Sequence, residues 1–194
     1  MARKDDLTPE NLPKQVEPQK PDNDEAQQPE FSMTEEEAQR AMEFLRAEQN
    51  LIMGAVAGFI AAVSGALIWA VITVTTDYQS GWMAVGIGFL VGMAVRTAGK
   101  GIDQVFGVIG AVMALVGCAL GNIFTFAYFL SMQTGSPLME VLNQLDVEMV
   151  AEFMLTTFQV TDILFYGLAL YFGYRYAFRQ LTMDDFNRAL GRAM

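Results

Sequence analysis

Apolar positions occur in four long blocks from residue 51 onward, and polar positions lie mainly before and between them. Each block is near the ~20 residues that an α-helix needs to cross the hydrocarbon core of a bilayer. The pattern predicts an all-α integral membrane protein whose membrane domain covers residues 51–178. Its four transmembrane helices are predicted at 51–75, 82–98, 106–130 and 155–177.

Three shorter segments have the i, i+3, i+4 apolar spacing of an amphipathic surface helix. The first is predicted at 34–49, where glutamates fill the first turn and favour a helix N-terminus. The second, at 137–154, is predicted to form one or two helices along the outer membrane surface. The third is a short helix at 181–192, in which Thr182 and Asp185 have the spacing of a capping box.

Residues 1–33 differ from the rest in composition, since they hold all but one of the six prolines and many Asp, Glu, Gln and Asn residues. The first 50 residues carry 13 acids and 6 bases, a net charge of −7 within a total of −10. Such a segment buries too little apolar surface to offset the entropy of ordering it, so we predict a disordered acidic arm at 1–33. The arm is either a solvated tail without a partner or a docking arm for a cytosolic protein.

The Lys and Arg residues next to the apolar blocks indicate the orientation of the chain. They are Arg40, Arg46, Arg96, Lys100, Arg175, Arg179, Arg188 and Arg192. The two other connections, 76–81 and 131–154, contain no Lys or Arg. Because cytoplasmic loops carry the excess of basic residues, both termini and the 96–105 turn are predicted in the cytoplasm of a bacterial inner membrane. Asp103 is expected to neutralise Arg96 or Lys100.

Small residues at a spacing of four predict close packing between membrane helices. The glycines of these pairs are Gly54 and Gly58, Gly88 and Gly92, and Gly117 and Gly121. They lie in the first three blocks, which are therefore expected to pack closely. The fourth block is rich in Phe and Tyr, and we expect it at the edge of the bundle or against another subunit.

The residue types that most catalytic and metal sites need are missing from the sequence. It has no histidine, and its single cysteine, Cys118, lies inside an apolar block. These counts exclude histidine-based zinc and haem sites, Ser-His-Asp catalysis and a CxxC redox pair. We predict no catalytic residue, no metal, no cofactor and no nucleic-acid partner.

The G-K-G at 99–101 resembles part of a phosphate-binding loop. The position of the first glycine of that motif is held by Ala94, and Gly101 stands where the motif needs Ser or Thr. We therefore predict a turn at this place, in which Gly99 and Gly101 adopt a positive φ.

Asp162 is the one acid that the pattern places well inside a predicted membrane helix. An ionisable group at that depth suggests a functional site. Asn122 is expected at a similar depth in the third helix, where the two side chains could form a hydrogen bond, with Thr125 or Thr161 beside them. The pair is either a proton- or cation-binding site or a polar contact that locks two helices together.

The segment at 85–125 is similar to a hairpin of small uncharacterised bacterial multi-span inner-membrane proteins. The likeness lies in its glycine-rich helix, an arginine near the cytoplasmic end, the short G-K-G turn and the pattern GAVxALxGCxLGN that follows. It extends more weakly to DILFYGLALYFGYRYAFR in the fourth block. The resemblance implies the membrane topology and implies no catalytic residue.

The function expected from these features is that of a non-enzymatic membrane component that binds or scaffolds a partner. The partner is a protein or a second copy of the chain, held through the acidic arm or the outer helices, and the lipid bilayer surrounds the bundle. The alternative is a small carrier or an ion or proton pathway that uses Asp162 and Asn122.

Overall fold

A computed structural model describes residues 33–78, 80–157 and 159–191, and the predicted arm lies almost wholly outside these ranges. The described residues form helices and contain no strand, so the prediction of an all-α fold is confirmed. The helices are α1 Glu35–Ala47, α2 Leu51–Thr76, α3 Trp82–Gly99, α4 Gln104–Thr134, α5 Leu138–Gln144, α6 Val147–Thr157, α7 Val160–Tyr176 and α8 Met183–Ala189.

Three of these helices, α2, α3 and α4, are long and apolar enough to cross a membrane. The outward faces of the bundle carry large apolar side chains, as at Ile52, which is 75% exposed, and Val71, which is 61% exposed. Such a surface is unfavourable in water and suits contact with lipid. Helices α6 and α7 are long and apolar enough to cross a membrane only when they are counted as one span. The two helices meet at an angle of 112°.

The fourth predicted span, 155–177, is therefore interrupted. Helix α7 begins at Val160, and the residues before it belong to α6, which points in another direction. The break has a local cause, because Gln159 and Asp162 have the spacing of a capping box: the Asp162 carboxylate accepts from the N–H of Gln159, and the N–H of Asp162 donates to the Gln159 carbonyl. This capping box satisfies backbone groups that a continuous helix would pair internally.

Helices α2, α3, α4 and α7 pack into one bundle in which α2 and α7 both contact α3 and α4. The first three blocks pack closely, as expected, and α7, which was expected at the edge of the bundle or against another subunit, also packs on α3 and α4. A Cβ atom added at Gly173 would lie 2.6 Å from the carbonyl oxygen of Gly110. Tyr171 of α7 is exposed, whereas Phe165 and Tyr166 pack against the core and Tyr174 lies beside Gly107 of α4.

The glycines singled out in the sequence lie at helix–helix contacts. Gly54 and Gly58 of α2 face α3 and α4, and Gly88 and Gly92 of α3 face α7. In α4, Gly117 faces α3 and α2, and Gly121 faces α2. A Cβ atom at Gly58 would lie 2.7 Å from Cγ2 of Val95, and one at Gly92 would lie 2.8 Å from Cβ of Tyr176. These positions let the helix backbones approach closely, which is how helices associate where water does not drive them together.

The turn between α3 and α4 differs from its prediction. Lys100 takes the left-handed conformation, with φ of 50°, and Gly99 and Gly101 do not. The two glycines are needed for space instead, because the ring of Phe106 lies against both. A Cβ atom at Gly99 would lie 2.7 Å from Cε1 of Phe106.

The segment after α4 forms the two helices expected for the predicted outer segment 137–154, although the second runs on to Thr157. Gly135, with φ of 69°, ends α4, and Pro137 precedes α5. Helix α6 begins where the carboxylate of Asp146 accepts a hydrogen bond of 2.7 Å from the N–H of Met149.

Candidate functional site

A cavity of about 330 Å³, which we call the polar cavity, lies where α7 and α3 begin. Its walls come from the last turns of α2, the α2–α3 connection, the middle of α4, the end of α6 and the first turns of α7. Polar and aromatic side chains predominate among the lining residues: Trp69, Tyr78, Ser80, Trp82, Asn122, Gln159, Thr161, Asp162, Phe165 and Tyr166. Asp162 and Asn122, the two residues predicted as a site, thus line one space.

Asp162 lies in the first turn of α7, not two turns inside a membrane helix as predicted. Its Oδ2 atom accepts a hydrogen bond of 2.8 Å from the backbone N–H of Gln159. The side chain is half-buried and faces the polar cavity. The prediction started this helix at residue 155, whereas α7 starts at Val160, inside a polar run, TTFQVTD at 156–162, that the prediction did not use.

Asn122 donates a hydrogen bond of 2.6 Å to the hydroxyl of Tyr166. The predicted partner was Asp162, which lies one helical turn before Tyr166 on the same side of α7. Sequence reasoning missed the role of Tyr166, although the i+4 spacing from Asp162 indicates that the two share a face. Thr161 lines the cavity, whereas the buried Thr125 donates to the carbonyl of Gly121.

Trp69 contributes a buried polar group beside the cavity. The residue is 3% exposed, and its indole N–H has no acceptor within the residues that the structure describes. The six-membered side of the indole lies over Gly121. A buried donor without an acceptor costs about 1–3 kcal/mol. The indole nitrogen has almost no accessible surface, so it does not face the open space of the cavity.

A second polar cluster, the ion-pair network, lies at the other end of the bundle. Arg179 donates to Glu48 over 2.9 Å and also to Asp185, and Arg188 contacts the same two carboxylates over 3.1 and 3.2 Å. The hydrogen bond from Arg179 holds the pKa of Glu48 below its ordinary value. Burial would raise the pKa of Asp185, but bonds from Thr182 and Arg179 outweigh it and lower that pKa.

Arg179 is the centre of the network, since its side chain is 13% exposed and it touches both carboxylates. Burial opposes its charge, but the hydrogen bonds to Glu48 and Asp185 outweigh this effect and raise its pKa. Its backbone N–H also donates to the carbonyl of Gly101 over 2.7 Å. The network therefore joins the end of α1, the α3–α4 turn and α8.

The α3–α4 turn is also held from α1 by Gln49. The Gln49 Oε1 atom accepts from the N–H of Ile102 and its Nε2 atom donates to Asp103, both over 2.9 Å. Asp103 forms its ion pair with Arg46 over 3.4 Å. The expected pairing of Asp103 with Arg96 or Lys100 is wrong, because the end of α1 lies nearer to the carboxylate.

The bases predicted to set the topology have different surroundings. Arg179 belongs to the network, Arg96 is half-buried at the end of α3, and Lys100 and Arg175 are exposed. Across the described ranges, Arg96, Lys100 and Arg175 form no ion pair. Their charged groups can therefore interact with the surroundings of this end of the bundle.

Within residues 33–78, 80–157 and 159–191, no group of three or more His, Cys, Asp or Glu side chains could hold a metal ion. Cys118 is fully buried in the bundle core. Comparisons of the chain with protein-family models, with curated proteins and with solved structures find no match.

Proposed function

We propose that this chain is a multi-pass protein of a bacterial inner membrane with four crossings, formed by α2, α3, α4 and α7. Helix α7 has 17 residues, about 25 Å of helix, and packs beside α3, which has 18 residues. Two short neighbours next to two long helices fit a bilayer that thins locally on one side. The apolar outward faces of α2 and α7 support contact with lipid.

The proposed orientation places the ion-pair network in the cytoplasm and the polar cavity at the outer surface. It is supported by the bases, since Arg96, Lys100, Arg175 and Arg179 all lie at the network end of the bundle. The α2–α3 connection and the α5–α6 segment lie at the other end, and their sequences contain no Lys or Arg.

A phosphatase fused after Gly135 should be active, and the same enzyme fused after Lys100 should be inactive. The reason is that the phosphatase folds only outside the cytoplasm, where Gly135 is proposed to lie. A fluorescent protein that matures only in the cytoplasm, fused at the same two positions, should give the opposite pattern. Activity after Lys100 together with cytoplasmic fluorescence after Gly135 would reverse the orientation.

The activity we propose is non-enzymatic, in that the protein binds a partner protein at its cytoplasmic end. One observation carries this proposal: the ion-pair network holds the C-terminal end of α1 on the bundle, and the acidic arm of residues 1–33 precedes α1 in the chain. A docking arm is more effective when the helix that carries it is held in place, because free motion of that helix lowers the effective concentration of the arm near its partner. Next to the arm, α1 exposes Glu35 and Glu36, and Phe44 is 43% exposed.

Deleting residues 1–30 should remove the partner that co-purifies with the protein after cross-linking in native membranes. The partner depends on the arm in this proposal, so the loss should be nearly complete while the amount of membrane protein stays the same. A variant with residues 1–30 in scrambled order keeps the charge of the arm and separates specific docking from attraction of basic proteins. An unchanged set of cross-linked partners in the deletion variant would contradict the proposal.

The carrier alternative is supported by the polar cavity, which brings Asp162 and Asn122 to one space. The bundle beneath it argues against a continuous pathway. Between the cavity and the network, the described core consists of small and apolar side chains in close contact, among them Ala62, Val91, Ala114 and Cys118. We therefore interpret the cavity as a closed-ended binding site.

A further inference from the structure

We infer that the polar cavity binds a small organic ammonium compound. The ammonium group would lie between the Asp162 carboxylate and the aromatic rings of the lining. This site is separate from the cytoplasmic docking surface and does not depend on it.

The charge of the cavity favours a cation. Asp162 contributes a carboxylate to the lining, and the lining contains no Lys or Arg. Asp162 takes part in no ion pair in the part of the chain that the structure describes. The nearest base along α3 is Arg96, 14 residues after Trp82 and therefore about 21 Å along the helix. A half-buried carboxylate with no neighbouring base attracts a positively charged ligand.

Two helices begin at the cavity, and their positive ends oppose a cation. The positive end of α7 is offset by Asp162 itself, whose Oδ2 atom bonds to the N–H of Gln159. Oδ1 has no hydrogen-bond donor among the described residues and is left for the ligand. The remaining positive end, that of α3 at Gly81, favours an oxygen on the ligand.

The aromatic lining favours an organic ammonium group over a small metal ion. Five rings surround the cavity: Trp69, Tyr78, Trp82, Phe165 and Tyr166. Trp82 and Phe165 meet edge to face, with ring centroids 5.6 Å apart. The faces of such rings attract alkylammonium groups, which have little hydration to lose, whereas a metal ion would keep its water. The volume of about 330 Å³ lies at the small end of the range for ligand pockets.

Binding can be measured with the native chain, because both of its tryptophans line the cavity. In purified full-length protein, choline, glycine betaine and ethanolamine are titrated while tryptophan fluorescence is recorded, with potassium chloride as the control for ionic strength. At least one should give a saturable change. For choline, the uncharged analogue 3,3-dimethylbutan-1-ol should bind about tenfold more weakly, since it has the same shape without the charge. Equal binding of choline and its analogue, or no saturable response to any of the three, would overturn the inference.

Two variants test the assigned groups. Asp162→Asn keeps a side chain that can cap α7 and should weaken ammonium binding about tenfold. The matched control is Asp146→Asn, an exposed helix-capping aspartate that does not line the cavity, and it should bind like wild type. Unchanged binding by Asp162→Asn would refute the inference.

Discussion

Replacing Gly173 with alanine should push α7 away from α4 and lower the free energy of unfolding by about 1–3 kcal/mol. The added Cβ atom would lie 2.6 Å from the carbonyl oxygen of Gly110 and 2.9 Å from Cβ of Ala114. Backbone atoms cannot move aside like the end of a flexible side chain, so the two helices must separate along their contact. The buried thiol of Cys118, which is the only one in the chain, allows unfolding to be followed with a thiol-reactive dye during heating.

The control is Gly167→Ala on the same helix. No atom lies within 4 Å of a Cβ atom at Gly167, so this substitution should leave stability unchanged or raise it by up to about 1 kcal/mol through helix propensity. Gly110→Ala should resemble Gly173→Ala, and the double variant should cost less than the sum, because one substitution already separates the helices. Equal melting temperatures for Gly173→Ala and Gly167→Ala would show that α7 does not pack on α4 as described.

The Gly110–Gly173 contact shows how far the sequence predicts packing. Spacing of small residues indicates which face of a helix packs, but the partner of that face depends on the arrangement of the whole bundle. Gly88 and Gly92 were expected to pack against the other two of the first three helices, but they face α7. The spacing of Ala169 and Gly173 follows the same small-residue rule and could have identified α7 as a packing helix.

The helical class and the long apolar blocks could be predicted because both depend on composition over many residues. The break before α7 was missed, although the run TTFQVTD at 156–162 is polar, because the position of the break depends on the hydrogen bonds between Gln159 and Asp162. A misplaced helix start of five residues changed the predicted depth of Asp162 by more than one turn. Trp69 shows the same limit, because an unpaired indole N–H becomes visible only when the packing around it is known.

The ion-pair network joins residues that the sequence keeps far apart. Thr182 and Asp185 could be recognised as a capping box, and the structure forms it. Arg179 was assigned to the cytoplasmic side from its position alone. Nothing in the sequence pairs it with Glu48, 131 residues earlier, because no periodic pattern links the end of α1 to α8.

Replacing Arg179 with methionine should lower the free energy of unfolding by about 1–3 kcal/mol, because it leaves two partly buried carboxylates with Arg188 as their remaining partner. Methionine keeps the apolar length of the side chain, so the loss is mainly electrostatic. Cys118 labelling during heating measures the change. The control is Arg175→Met, an exposed arginine without an ion pair in the described ranges, which should change stability by less than about 0.5 kcal/mol.

The same variant should lose part of the pH dependence of stability. The pKa values of Glu48 and Asp185 are lowered in the folded protein, so their contribution is complete above about pH 5 and is lost as the pH falls through the folded-state values. Without Arg179 those pKa values return toward or above their ordinary range. The difference in melting temperature between wild type and Arg179→Met should therefore shrink from pH 7 to pH 4. A difference that stays constant would mean that Arg179 stabilises the fold through the packing of its apolar side-chain carbons. The ion pairs would then not be what holds α1 on the bundle.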